Sequence, residues 1–227
     1  MTDLQNSLAD RINQIRSTLP DRVHLIAVSK MVESDRIREA YKAGIRDFGE
    51  SRIPESLDKQ EELKDLTDIT WHFIGHLQRN KAKKAIANFQ WIHSVDSLKL
   101  AQQLNELAQN LETKPKICLQ VKIAPDPQKF GWSVPELLND LPVLDRCDRL
   151  DIQGLMCIPP LGLNPDQTYE IFRQTAELAD KIKQQDWSNL QMHHLSMGMS
   201  ADYSLAIQAG ATLIRLGTTL FGQRPYP

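Results

Sequence analysis

The chain has 227 residues, and its 27 lysines and arginines against 29 acids leave a formal net charge of −2. That length supports one substantial core, and a single domain over residues 1–227 is the expectation. Both signs are interspersed along the chain, so it has no basic footprint for nucleic acid or an anionic membrane, and a small polar partner is expected instead.

No apolar run reaches membrane length, and the opening MTDLQNSLADRINQIR is charged and amphipathic rather than a leader. Cys118, Cys147 and Cys157 lack the C-x-x-C spacing of a metal site and sit mostly among apolar neighbours. They point to reduced thiols in a cytoplasmic protein.

In chain order, Leu4, Leu8, Ile12 and Ile15 recur at helical spacing and predict an amphipathic helix over 3–17, stopped before Pro20. Strands are then predicted over 23–28, 45–49, 71–75, 91–95, 116–121, 150–156, 192–197 and 212–217. Helical patterns lie between them. In 97–112, Leu100, Leu104, Leu107 and Leu111 fall at core spacing, and 166–184 carries a second long pattern. Such alternation implies right-handed parallel crossovers, and eight strands in this length predict an α/β fold, a closed (β/α)8 TIM barrel without sheet edges. Only a short tail follows the eighth strand, so the extra N-terminal helix is expected to cover part of the gap there. The Pro-containing loops 123–132 and 158–166 are candidate pocket walls.

Barrel sites lie at the C-terminal ends of the strands. That rule selects Lys30, FGES (48–51), IGHLQ (74–78), Ser94, Met156, SMGMS (196–200) and RLGTT (215–219). Gly198 and Ser200, with Gly217 and Thr218, mark the ends of strands seven and eight, where glycines, hydroxyls and free backbone N–H groups suit a phosphate. Taken singly, Ser200 reads as a helix cap and Gly217 as a turn residue. Arg215, flanked by Ile214 and Leu216, must meet an acceptor, for which Asp47 or Glu50 is the simplest choice. Lys30 alone reads as a solvated charge. Opposite a phosphate cup, however, a partly desolvated amine becomes a nucleophile for an aldehyde. A phosphate clamp, a lysine and a polar partner for a ring nitrogen are what pyridoxal 5'-phosphate (PLP) requires. A phosphometabolite-binding barrel in which Lys30 only pairs with phosphate remains the alternative from another class.

The segments AVSK, FGES, WHFIGHLQRNK, HSVDS, GLMCIPP and LSMGMSADYSLAIQAGATLIRLGTTLFG follow one another in the order of a known family. Through them the chain resembles the pyridoxal phosphate homeostasis proteins, nearly end to end. The resemblance implies the barrel of fold-type III enzymes such as alanine racemase, binding of PLP, a role in PLP homeostasis and amino/keto acid balance, and no robust turnover. It implies Lys30 as the Schiff-base lysine and Arg215 as the arginine facing the pyridine nitrogen. Ser200, Gly217 and Thr218 match the phosphate positions, Ser196 and Met197 match residues beside the ring, and Ile74 to His76 match a loop packed near the cofactor. It further implies a monomer, with PLP-dependent enzymes as candidate recipients. Ser51 departs from the pattern, standing where many relatives have asparagine, and a hydroxyl is shorter and offers fewer hydrogen bonds.

An arginine does not exchange its proton at protein pH, so Arg215 is expected to keep the ring nitrogen unprotonated and the cofactor a weaker electron sink. The alternative activity is a PLP-dependent amino acid racemase. That reaction needs a second acid-base group, which alanine racemases take from an additional domain expected to be absent here. Tyr203 reads as a residue in the first turns of a helix. His72, His93, His193 and His194 read as hydrogen-bonded structural histidines rather than metal ligands, whereas His76 lies near the pocket with no partner evident in the sequence.

Overall fold

Each of the eight apolar runs becomes a strand within two residues of its expected bounds, in a computed structural model that describes residues 7–223. The strands are β1 (His24–Val28), β2 (Asp47–Glu50), β3 (Thr70–Phe73), β4 (Trp91–Val95), β5 (Lys116–Lys122), β7 (Asp151–Met156), β8 (Leu190–Met199) and β9 (Leu213–Leu216). A two-residue strand, β6 (Trp132–Ser133), pairs beside the end of β5 and was not legible as a separate element. All pairings are parallel. The order β4-β3-β2-β1-β9-β8-β7-β5 closes through a β4–β5 pairing, so the eight principal strands form a barrel.

The helices are α1 (Leu8–Thr18), α2 (Ser34–Lys42), α3 (Ile53–Glu62), α4 (Ala82–Asn88), α5 (Leu98–Leu107), α6 (Val134–Leu144), α7 (Pro165–Lys183), α8 (Tyr203–Gln208) and α9 (Thr218–Phe221). In α1, a capping box links Ser7 and Asp10, and Leu8, Ile12 and Ile15 are buried; the expected contribution of Leu4 lies outside the described residues. Arg11 Nε donates to the Leu220 carbonyl at 2.7 Å, and α1 packs against α2 and α9, covering the gap left by the four-residue α9. The leucine pattern expected to run to residue 112 stops at Leu107. A 3₁₀ turn, Ala108–Asn110, follows, and Leu107 and Leu111 are only partly buried.

Two layers of apolar side chains result. The larger lies between strands and helices, and a smaller cluster of Ile26, Trp91, Cys118, Met156 and Leu213 fills part of the barrel interior. All three cysteines are buried and unpaired, and burial pushes the Cys118 thiol up to about 12.

Strand β8 carries two irregularities that set the site. Residues 190–194 span the register of only 152–154 in β7, with Met192 at φ +51, and Gly154 is the position that allows this approach: a Cβ there would lie 1.7 Å from the His194 carbonyl oxygen. A second shift, at 196–199, places Gly198 at φ +93 against Ala206 and Tyr203. Bulges of this kind re-aim the side chains that follow, here Ser200.

Candidate functional site

Strand β9 lies between β1 and β8, so Lys30, Gly217 and Ser200 follow the C-terminal ends of three neighbouring strands. The expected phosphate-binding positions thus adjoin Lys30 rather than facing it across the rim, because closure makes the last strand the neighbour of the first. Ser200 does not cap its own following helix: Asp202 holds the N-cap position of α8. Instead its Oγ accepts from the backbone N–H groups of Gly217 (3.4 Å) and Thr219 (3.3 Å), which flank Thr218 at the start of α9. One hydroxyl and two amides therefore converge on one spot at the rim.

Lys30 is exposed, and its amine has no hydrogen bond or ion pair among the described residues. Its neighbours, in contrast, are tied down. Ser29 Oγ donates to Glu50 Oε1 at 2.6 Å, and the Ser29 carbonyl accepts from Lys59 Nζ at 2.8 Å. Lys59 also pairs with Glu50 (3.1 Å) and Glu55 (2.6 Å). Met31, at φ +57, donates its N–H to Glu55 Oε1. A methionine in that left-handed conformation is strained, and the Glu55 acceptor offsets the strain. Backbone contacts on both sides of Lys30 thus fix the turn that presents it. Burial pushes the Glu50 carboxyl up, against the pull of Lys59 and Ser29, and its Oε2 is buried without a partner. For Glu55, burial also pushes upward, but the hydrogen bonds from Lys59 and the Met31 N–H prevail and hold it below its usual value.

Arg215 is buried, and burial pushes its guanidinium down. It pairs directly with neither Asp47 nor Glu50, contrary to the sequence expectation. Nη1 donates to Ser196 Oγ at 2.6 Å and Nη2 to the Cys157 carbonyl at 3.2 Å. Glu50 is taken by Lys59, and Asp47 sits at the opposite end of its strand. Beyond Ser196 lie two buried imidazoles: His93 Nδ1 is 2.7 Å from Ser196 Oγ, His93 Nε2 is 2.9 Å from His72 Nδ1, and His72 Nε2 is 2.9 Å from Asp47 Oδ1. Burial holds both histidines below their ordinary value, His93 well below.

The structure thus brings Ser196 and Arg215 into direct contact and gathers Ser200, Gly217 and Thr218 beside them on adjoining strands. The Met197 side chain is fully buried in the outer core, because side chains alternate along a strand and Ser196 takes the inward position; at this position the backbone is what remains for a ligand. Ile74 packs on Gly49, and Gly75 permits close approach of the Ser51 backbone. Ser94 Oγ donates to the Gly75 carbonyl. His76, for which the sequence offered no partner, meets Asp96 Oδ2 at 3.1 Å and stacks on the exposed Phe130 with ring centroids 3.5 Å apart. The candidate wall loops touch each other, Lys129 Nζ donating to the Pro159 carbonyl. Sequence reasoning missed Lys59 and Glu55 altogether.

Residues 4–225 match the family described as alanine racemase, N-terminal domain. A pyridoxal phosphate homeostasis protein from Synechocystis sp. is 51% identical over 212 residues, covering 93% of this chain and 96% of that protein. The chain belongs to the pyridoxal phosphate homeostasis protein family. Another protein of that name, from Escherichia coli (strain K12), is 34% identical over 235 residues, covering 100% of this chain and 99% of its own. Among solved structures, PipY of Synechococcus elongatus PCC7942 with PLP bound shares 50% identity and superposes with a TM-score of 0.91, covering 95% of this chain and all of that one. An alanine racemase from Clostridium difficile shares the fold at a TM-score of 0.73 and 17% identity, with 57% of its chain covered. The pyridoxal phosphate homeostasis family thus uses the same closed barrel as the racemase domain.

Proposed function

We propose that this chain binds PLP at the C-terminal mouth of the barrel and serves PLP homeostasis and amino/keto acid balance, holding the cofactor without appreciable turnover. The observation that carries the reading is the convergence, on adjoining strands, of an unpartnered amine at Lys30, the Ser200 hydroxyl with the Gly217 and Thr219 N–H groups, and the buried guanidinium of Arg215. The PLP-bound PipY relative supports the same choice of ligand.

This donor set fits PLP. Hydroxyl and amide donors suit a dianionic phosphate. Arg215 has five N–H donors, of which Ser196 and Cys157 engage two groups, leaving capacity for a ring nitrogen. Bound PLP supplies an aldehyde that condenses with a primary amine and a ring that draws electrons from carbon. Lys30 provides that amine, on a turn fixed by Ser29 and Met31. Ser200, Gly217 and Thr218 orient the phosphate; Ser196 and the Met197 backbone line the ring position. Arg215 donates to the ring nitrogen without yielding its proton, which disfavours carbanion chemistry and favours retention over racemisation.

The whole chain acts as one PLP-binding unit, as a cytoplasmic monomer whose recipients are PLP-dependent enzymes. Among the described residues no helix is long and apolar enough to cross a membrane. Only Phe130, Leu161 and Met199 are large exposed apolar side chains there, which gives little surface for self-association.

The test is a PLP titration followed by visible absorbance, with deuterium exchange at the α-carbon of added amino acids. A saturable cofactor band with no sustained exchange is expected. No band contradicts PLP binding and returns the phosphometabolite reading; stereochemically balanced exchange at enzyme-like rates contradicts the carrier and returns the racemase.

A further inference from the structure

The polar chain behind Arg215 crosses the barrel interior from β9 and β8 to β4, β3 and β2, and ends at Asp47. That end opens on a cavity of about 770 Å³ at the N-terminal mouth of the barrel, where His24, Asp47, Thr70 and Lys116 start their strands. We propose that Asp47 is the counter-charge of Arg215, connected to it by a one-way chain of hydrogen bonds through Ser196, His93 and His72, and that these residues position Arg215 for the ring nitrogen of PLP.

The direction follows from counting hydrogens. A guanidinium only donates, so Ser196 Oγ accepts from Arg215 and has one proton of its own to give. Given to His93 Nδ1, it makes that nitrogen an acceptor. A neutral imidazole then carries its hydrogen on Nε2, which donates to His72 Nδ1, and His72 in turn donates from Nε2 to the Asp47 carboxylate. Every link is satisfied with both rings neutral.

The opposite direction fails this count. If His93 donated from Nδ1 to Ser196, its Nε2 would need a hydrogen from His72 Nδ1, and His72 would need a second hydrogen on Nε2 to meet Asp47. That arrangement places an imidazolium among buried residues and leaves the Ser196 proton unused. Burial disfavours it and, with the Lys116 charge, outweighs the pull of the Asp47 carboxylate, so that His72 is held below its ordinary value. Trp91 stacks on His72 with centroids 5.7 Å apart and packs on His93 at 5.6 Å, holding both rings in place. In the neutral arrangement the dipoles of successive links align, each strengthening the next. Arg215 is thereby given an oriented acceptor at Nη1 without a carboxylate beside the cofactor, where one would compete for the same donors.

The proposal rests on the PLP reading for its second half only, so the test has two parts. In the PLP-free protein at neutral pH, long-range ¹H–¹⁵N spectra of ¹⁵N-histidine report the tautomers directly. The hydrogen on Nε2 of both His72 and His93 is expected; an Nδ1–H on His93 with a doubly protonated His72 overturns the direction. This needs no variant, so misfolding cannot obscure it. In the second part, Asp47→Asn, which keeps an acceptor but loses the charge, and Asp47→Ala are expected to shift the visible band of bound PLP. Thr70→Val, which lines the same cavity outside the chain, is expected to leave it unmoved. A band identical to wild type in both Asp47 variants overturns the counter-charge role. Failure of the wild-type protein to bind PLP ends the functional reading and the positioning role with it, while the measured tautomers still decide the direction.

Discussion

Around Lys30 the buried charges meet directly: Lys59 touches both Glu50 and Glu55, and the pair leaves one Glu50 oxygen without a partner. Around Arg215, by contrast, no carboxylate contacts the guanidinium among the described residues, and a hydroxyl and two imidazoles separate it from Asp47. The first arrangement fixes a backbone turn rigidly at the cost of burying two ions. The second gives each side chain in the series a hydrogen-bond partner and places the carboxylate at the far mouth. On the proposed reading, a lysine that is to react needs a fixed base and a free tip, whereas an arginine that is to donate needs an acceptor on one side only.

The comparison is sharpest in the variants expected to hurt most. Lys59→Met strands Glu50 in the interior, and a loss of about 3–5 kcal/mol in urea unfolding is expected, the scale for breaking a buried pair from one side. A loss below about 1 kcal/mol would mean that the contacts do not carry the turn. Ser196→Ala removes the acceptor of Arg215 and the donor to His93 together. About 1–3 kcal/mol is expected, since buried polar groups are left unmatched.

The buried histidines and Glu50 respond to pH with opposite signs, while Glu55, held below its usual value, loses its contribution on acidification as the histidines do. His93 and His72 are held below their ordinary 6.5 in the folded state, so the unfolded chain binds more protons below that pH and stability falls as pH drops through 6.5. Glu50 is raised above 4.5, so its contribution is full below 4.5 and is lost as pH rises through its folded value. Glu50→Gln removes the second effect and leaves the first. Its stability is expected to fall more steeply than wild type on acidification below pH 6.5, and His93→Gln is expected to fall less steeply. Parallel curves for all three proteins would show that neither buried group titrates as described. The smallest effect is expected at the rim, where Ser200→Ala weakens PLP binding by about tenfold, the scale of one hydrogen bond to a charged group, while unfolding stability changes little.

The barrel was legible because its strands are short, β-prone and largely buried segments separated by helical periods, even where polar residues interrupt them, as in β2 and β8. The rim residues were legible for the same reason: once the strands are placed, Lys30, Ser200 and Gly217 can only end them. The partners were not. Arg215 was expected to find an acid, and what it finds is Ser196, because strand direction puts Asp47 at the start of β2 and α3 supplies Lys59 to Glu50. Sequence does give a signal for Lys59, which shares with Ile53 and Leu63 the buried face of α3; a lysine there must be paired. No periodicity reveals that His72 and His93 share a hydrogen bond, since that depends on the register of β3 against β4 across a closed sheet. The aim of Ser200 was hidden in the same way, by the bulge at Gly198.

The central claim, that Lys30 is the amine that holds PLP, is tested most directly by borohydride reduction of the PLP-loaded protein followed by peptide mass mapping, alongside Lys30→Ala. The account predicts a pyridoxyl adduct on the Lys30 peptide in the wild-type protein and none in the variant. An adduct on Lys59, Lys129 or any other lysine, or no adduct in a folded protein saturated with PLP, would contradict it.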